Sequence, residues 1–153
     1  MTNKKKILFF ASRIPYPLEK GDKLRAYYQI KYLSKNCDIV LCCMSEEVLT
    51  EKAKEELSKY VSNIHVYKTS KISIALNMLI AGFMGYPFQV GYFFNTGAHF
   101  FFNKIIKEEK PDHIFVQLIR MAEYVTKSRT IPKSLDYMDT FSKGIERRME
   151  KAS

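Results

Sequence analysis

"ILFFASRIPYPLEKGDKLRAYYQIKYLSKNCDIVLCCM", residues 7–44, decides the fold. It opens on a continuous apolar run, 7–11, the pattern of a strand buried on both faces. It closes on a second buried-strand pattern, 38–44, apolar after Asp38. Between them Ala26, Ile30, Leu33 and Cys37 recur at i, i+4, i+7 and i+11, one stripe of a helix. Strand, helix, strand predicts a parallel pair bridged by a helical crossover. Working outward, Leu49, Ala53, Leu57 and Tyr60 mark a second helix with a Lys/Glu outer face, and 63–67 reads as a third strand. Residues 73–84 and 92–109 read as helices around a Gly-Tyr-Pro break at 85–87. Residues 111–117 form a fourth strand, with Pro111 stopping the helix before it. Then come a short helix over 119–127, a fifth strand over 133–139, and a last helix begun by Phe141, Ile145 and Met149. The order βαβαβ, a helical insertion, then βαβα predicts an α/β three-layer sandwich around a mostly parallel sheet.

The connection over 12–21 is longer than the two to six residues usual between a strand and a helix. It leaves the carboxyl end of the first strand, and parallel sheets bind ligands beyond their carboxyl ends, where the strand order reverses. Pro15 and Pro17 stiffen it. Gly21 gives the backbone room to turn or to approach a ligand. Asp22 is the expected N-cap of the following helix, with Lys23 and Arg25 in its first turn beside exposed N–H groups that suit an anion. Two readings stand here: a phosphate or sugar contact, or a stiff loop with an ordinary cap and solvated cations. Neither glycine-rich dinucleotide fingerprint nor Walker loop is present.

Composition narrows the class. With 46% apolar and 27% charged residues over 153 positions, the chain is long enough and apolar enough for one domain with a real core. The excess of 25 Lys+Arg over 16 Asp+Glu, a net +9, favours anionic partners. Nucleic acid is not expected, because no interleaved aromatic and basic platform is present. Cys37, Cys42 and Cys43 fit no zinc spacing and read as small buried apolar residues of a reducing compartment. The basic start precedes too short an apolar run for a signal peptide. The longest apolar stretch, 72–94, is broken by Asn77, Gly82, Gly85, Pro87 and Gln89 and falls short of a spanning helix. A cytoplasmic protein is expected. Its aromatic, basic-flanked segment 77–94 is either buried or a peripheral seat on the inner face of a membrane.

"FFASRIPYPLEKGDKLRAYYQIKYLSKNCDIVLCCM" also resembles the opening of family 4 glycosyltransferases of the GT-B fold, in the subgroup tied to bacterial surface and exopolysaccharide synthesis. The shared pattern is a first strand, Arg-x-Pro-x-Pro, Lys-Gly-Asp and an arginine in the first helical turn. Here these are Arg13, Pro15, Pro17, Lys20, Gly21, Asp22 and Arg25. "VQLIRMAEYV" and "LDYMDTFSKGIERR" extend the likeness over most of the chain. The resemblance implies a Rossmann-like first domain that mainly binds the acceptor. It also implies a second domain that binds a nucleotide-sugar, retention of anomeric configuration and no metal requirement. No other cofactor is expected; the nucleotide-sugar is a substrate and a glycan or lipid-linked sugar the acceptor. On this reading residues 1–153 are the acceptor-side domain, incomplete at "GIERRMEKAS", and the donor-binding domain is missing.

The donor-side E-x7-E of that family has a literal match at Glu47 and Glu55, which reads as a solvated helix face. His65, His99 and His113 are scattered, and no local motif singles one out. Gln117 and Arg120 stand at the carboxyl end of the fourth strand, facing the expected cleft. Asp136 and Asp139 end the fifth strand in the same way, either as a pair for acceptor hydroxyls or as a helix cap and one polar strand residue. The sequence leaves the catalytic groups unassigned. A non-catalytic nucleotide- or anion-binding module is the alternative to a transferase.

Overall fold

A computed structural model describes residues 4–70, 75–79, 83, 95–126 and 130–137. Five strands form one sheet in the order β3-β2-β1-β4-β5, and every neighbouring pair is parallel. The strands are β1 (Lys6–Ala11), β2 (Asp38–Ser45), β3 (Asn63–Lys68), β4 (His113–Gln117) and β5 (Lys133–Asp136). Helices α1 (Gly21–Leu33), α2 (Glu51–Leu57) and α3 (Thr96–Glu109) and a 3-10 helix over Ile119–Val125 complete the described elements. The protein is thus an α/β, Rossmann-like three-layer sandwich.

The apolar runs are continuous because both faces of the sheet are covered, and the pleat divides them. Ile7, Phe9, Ala11, Ile39, Leu41 and Cys43 pack with Ala26, Tyr27 and Ile30 of α1 and Ala53 and Leu57 of α2. Leu8, Phe10, Val40, Cys42, Ile114 and Val116 pack on the opposite face with Ala98, Phe102 and Ile105 of α3 and with Met121 and Tyr124. The adjacent cysteines therefore enter different cores, as period-2 alternation requires. Burial pushes the Cys43 thiol up to about 12, so it is inert at neutral pH. Phe10 stacks on Phe102 at 4.0 Å between centroids and meets Tyr124 edge-on.

Local chemistry sets the helix ends. The Thr50 hydroxyl accepts from the Ala53 amide at 3.2 Å, capping α2. The Asn95 side chain does the same for Ala98 at 3.0 Å, capping α3. Helix α3 closes on Lys110 in the left-handed region, directly before Pro111.

Several sequence-based bounds shift. Helix α1 ends at Leu33, so Cys37 lies beyond it. The fourth strand begins at His113, after Pro111 and Asp112. The segment after it is a 3-10 helix. The fifth strand ends at Asp136, three positions short of the expected end. Of the expected helix over 73–84, residues 75–79 and 83 are described, and all are helical. Asp139 and the expected last helix lie outside the described residues. No helix among the described residues is long and apolar enough to cross a membrane.

Candidate functional site

The strand order reverses at β1, which pairs with β2 on one side and β4 on the other. The crevice expected of such a sheet opens beyond the carboxyl ends of β1 and β4. Three segments reach it: the loop 12–20, the first turn of α1, and the chain leaving β4 at Gln117.

The loop is long but not loose. Ile14 is buried in the core shared with α1 and α2, and Tyr16 and Leu18 pack against it. The Tyr16–Pro17 peptide is cis. This anchoring leaves Arg13, Glu19, Lys20 and Gly21 exposed at the rim.

Helix α1 starts two residues earlier than the sequence suggests. Lys20, in extended conformation, occupies the N-cap position without a side-chain cap, and Gly21 is the first helical residue. Asp22 is therefore not the cap but a first-turn residue. Its carboxylate accepts from the Lys23 amide at 3.0 Å and faces Arg13 at 3.4 Å. A carboxylate in the first turn suits the positive end of the helix dipole.

The two glycines at helix starts differ sharply. At Gly97 in α3 an added Cβ would collide with the Tyr67 hydroxyl, which itself donates to Asn95. Protein packing explains that glycine. At Gly21 an added Cβ would meet no atom within 4 Å, and the residue is not in the left-handed region. Neither packing nor backbone conformation among the described residues requires a glycine there.

The remaining expected site residues divide. Arg25 and Asp136 come together although 111 residues apart: Arg25 Nε and Nη2 donate to the Asp136 carboxylate at 2.7 and 2.8 Å. Gln29 Nε2 adds a third bond to that carboxylate at 2.7 Å. The hydrogen bonds from Arg25 hold the Asp136 carboxyl below the usual carboxylate range, against the upward push of burial. This bidentate tie fastens α1 to the edge strand β5 and leaves Arg25 Nη1 at the rim.

Gln117 does stand at the carboxyl end of β4, but its side chain is 2% exposed rather than open to the crevice. Its amide donates to the Asp22 carbonyl at 2.7 Å, joining β4 to the first turn of α1. Lys23, expected as a first-turn cation either beside an anion or in solvent, is instead 3% exposed and faces inward. Arg120 lies in the 3-10 helix after β4. No group of three or more His, Cys, Asp or Glu that could hold a metal occurs among the described residues.

Two features had no clear signal in the sequence. Leu118, next after Gln117, is a non-glycine residue at φ 72°. Such a backbone costs on the order of 1–3 kcal/mol and persists only where its surroundings fix it. Here its amide donates to the Asp136 carbonyl at 3.2 Å and its carbonyl accepts from Met121 at 3.0 Å. The second is the partnership of Lys23 with Glu19 and Glu47 across two loops. The i, i+4 spacing of Glu19 and Lys23 was visible, but Glu47 is distant in sequence and carries no mark.

Two of the three histidines lie away from this rim, while His99 sits in the first turn of α3 with its ring 6.3 Å from that of Tyr124. His65 pairs with Glu109 at 2.8 Å, and His113 with Ser134 at 2.9 Å, both on the strands' amino-end side of the crevice. Glu47 follows β2 while Glu55 lies within α2, so they do not form a donor motif.

Fold and rim together define a Rossmann-like α/β domain with an open glycine, a bidentate Arg–Asp tie and exposed cations at its switch point. No protein-family model matches the chain, and no curated protein matches it.

Proposed function

We propose that this chain is the acceptor-side domain of a GT-B glycosyltransferase. It would serve transfer of a sugar from a nucleotide-sugar to a glycan or lipid-linked acceptor in surface polysaccharide synthesis. The observation that carries the reading is Gly21, which is open at the switch-point rim with no described atom near the missing side chain. A glycine unexplained by its own protein is what a ligand packed against the backbone would require. The likeness of Arg13, Pro15, Pro17, Lys20, Gly21, Asp22 and Arg25 to the family 4 opening supports the same reading.

In this scheme the Gly21 amide and the start of α1 face the donor diphosphate and the transferred sugar. Lys20 and the free edge of Arg25 add positive potential as the leaving diphosphate gains charge. Gln117 and Asp136 hold that turn in place from the sheet side, and Arg120 and Asp139 belong to the acceptor side. The donor nucleotide would be held by a second domain, and no metal is needed. Leu24, Val48, Ile119 and Tyr137, all exposed, follow or flank the carboxyl ends of four strands and offer that domain an apolar rim.

Contact with an anionic membrane is part of the proposal. Leu76, Leu79 and Phe83 are exposed, with Phe83 at 93%. Leu76 and Leu79 lie on one side of a helical turn, and Phe83 is helical as well. An apolar stripe on a protein of net +9 suits an anionic bilayer surface.

The direct test incubates the full-length protein with a panel of nucleotide-sugars and a membrane extract, and follows donor loss and glycolipid formation by mass spectrometry. Transfer from one donor is expected. Absence of both transfer and donor hydrolysis across the panel would leave an anion-binding module as the better reading.

A further inference from the structure

Lys23 is the one lysine among the described residues whose side chain is withdrawn from water at the carboxyl edge, at 2% exposure. It occupies the inner stripe of α1 with Ala26, Tyr27 and Ile30, where an apolar residue would fit the pattern. Its aliphatic stem is buried there, and its ammonium reaches two carboxylates on different connections. Glu19, at 3.1 Å, belongs to the loop after β1. Glu47, at 3.6 Å, belongs to the loop after β2. Burying an ammonium is unfavourable unless partners compensate it. Both carboxylates remain largely exposed, so neither loop is held by burial at these positions.

We infer that Lys23 is a positioning residue, a latch that locks the loops after β1 and β2 into one wall of the crevice so that they open together. Removing either carboxylate would leave a buried charge with one partner, and the strain would pass to the other loop. Without the latch, each loop would fluctuate on its own. The inference does not depend on what the crevice binds.

Amide hydrogen exchange on the intact chain tests it. Glu47→Gln, a change at an exposed side chain, is expected to speed exchange in the other loop, over 13–20, at least about threefold. Glu19→Gln is expected to do the same over 46–49. The double variant should add little to either single one, as coupled sites do. Amides of β1 and β2 should be unchanged. Lys23→Met, if it folds, should loosen both loops together; if it does not fold, the two carboxylate variants decide alone. Lys23→Arg, which keeps the charge, should restore most of the protection. Acceleration confined to the mutated loop, or equal acceleration throughout the sheet, would overturn the latch.

Discussion

Gly21→Val is the sharpest test of the rim. The sequence alone leaves two reasons for a glycine here, backbone strain or a ligand, and they predict different outcomes. The structure removes the first: Gly21 is helical, outside the left-handed region, and an added Cβ finds open space. Valine is a better helix residue than glycine by a few tenths of a kcal/mol. The folded state should therefore shift by no more than about 0.5 kcal/mol in either direction. At roughly 2–4 °C per kcal/mol for a domain of this size, the melting temperature moves by about 2 °C or less. The branched side chain nonetheless fills the space proposed for the sugar diphosphate. A fall in kcat/KM of at least about 100-fold is expected, equivalent to about 2.7 kcal/mol of lost transition-state stabilisation. Gly21→Ala should fall between the two. The assay pairs initial rates with the accepted nucleotide-sugar and calorimetry on the same preparations. Near-normal turnover in Gly21→Val would refute the reasoning, and so would activity lost only in proportion to unfolding.

The other glycine supplies the control: Gly97→Ala must displace the Tyr67 hydroxyl, so calorimetry should show a loss of about 1–3 kcal/mol. Phe102→Ala removes a fully buried ring stacked on Phe10 and should cost about 3–5 kcal/mol in urea unfolding. For Arg25 and Asp136, a double-mutant cycle in low salt should give a coupling of only about 1 kcal/mol, because Arg25 is half exposed; coupling indistinguishable from zero would mean that the tie does not fasten β5. Asp136 titrates below the usual range when folded, so its stabilisation is complete above the unfolded value near 4 and is lost as pH falls through the lower folded value. Wild type should therefore lose more stability below about pH 4 than Asp136→Asn does. Sedimentation with anionic liposomes should fall at high salt and vanish in Leu76→Glu with Phe83→Glu; equal binding to neutral liposomes would remove the electrostatic part of that reading.

The sequence by itself determined the sandwich. Residues 7–11 and 39–44 are apolar throughout because a parallel sheet is covered on both faces, and the stripe through Ala26 and Ile30 states where the first helix lies. These are local regularities, so one chain is enough to read them. It also pointed to the rim, since a long loop after the first strand can lead only to the carboxyl edge. What it could not supply is which polar groups meet. Arg25 and Asp136 were each legible as strand-end or first-turn residues, but their pairing spans 111 positions and exists only because β5 lies beyond β4 on the α1 side. Lys23 read as a first-turn cation, either beside an anion site or in solvent. Only the packing of α1 on the sheet turned it inward, to carboxylates on two loops. Gln117 was placed at the correct strand end, and the tertiary structure alone committed its amide to the Asp22 carbonyl. Burial and long-range pairing are properties of the assembled layers, and hydrophobic periodicity encodes the layers without encoding which polar atoms they bring face to face.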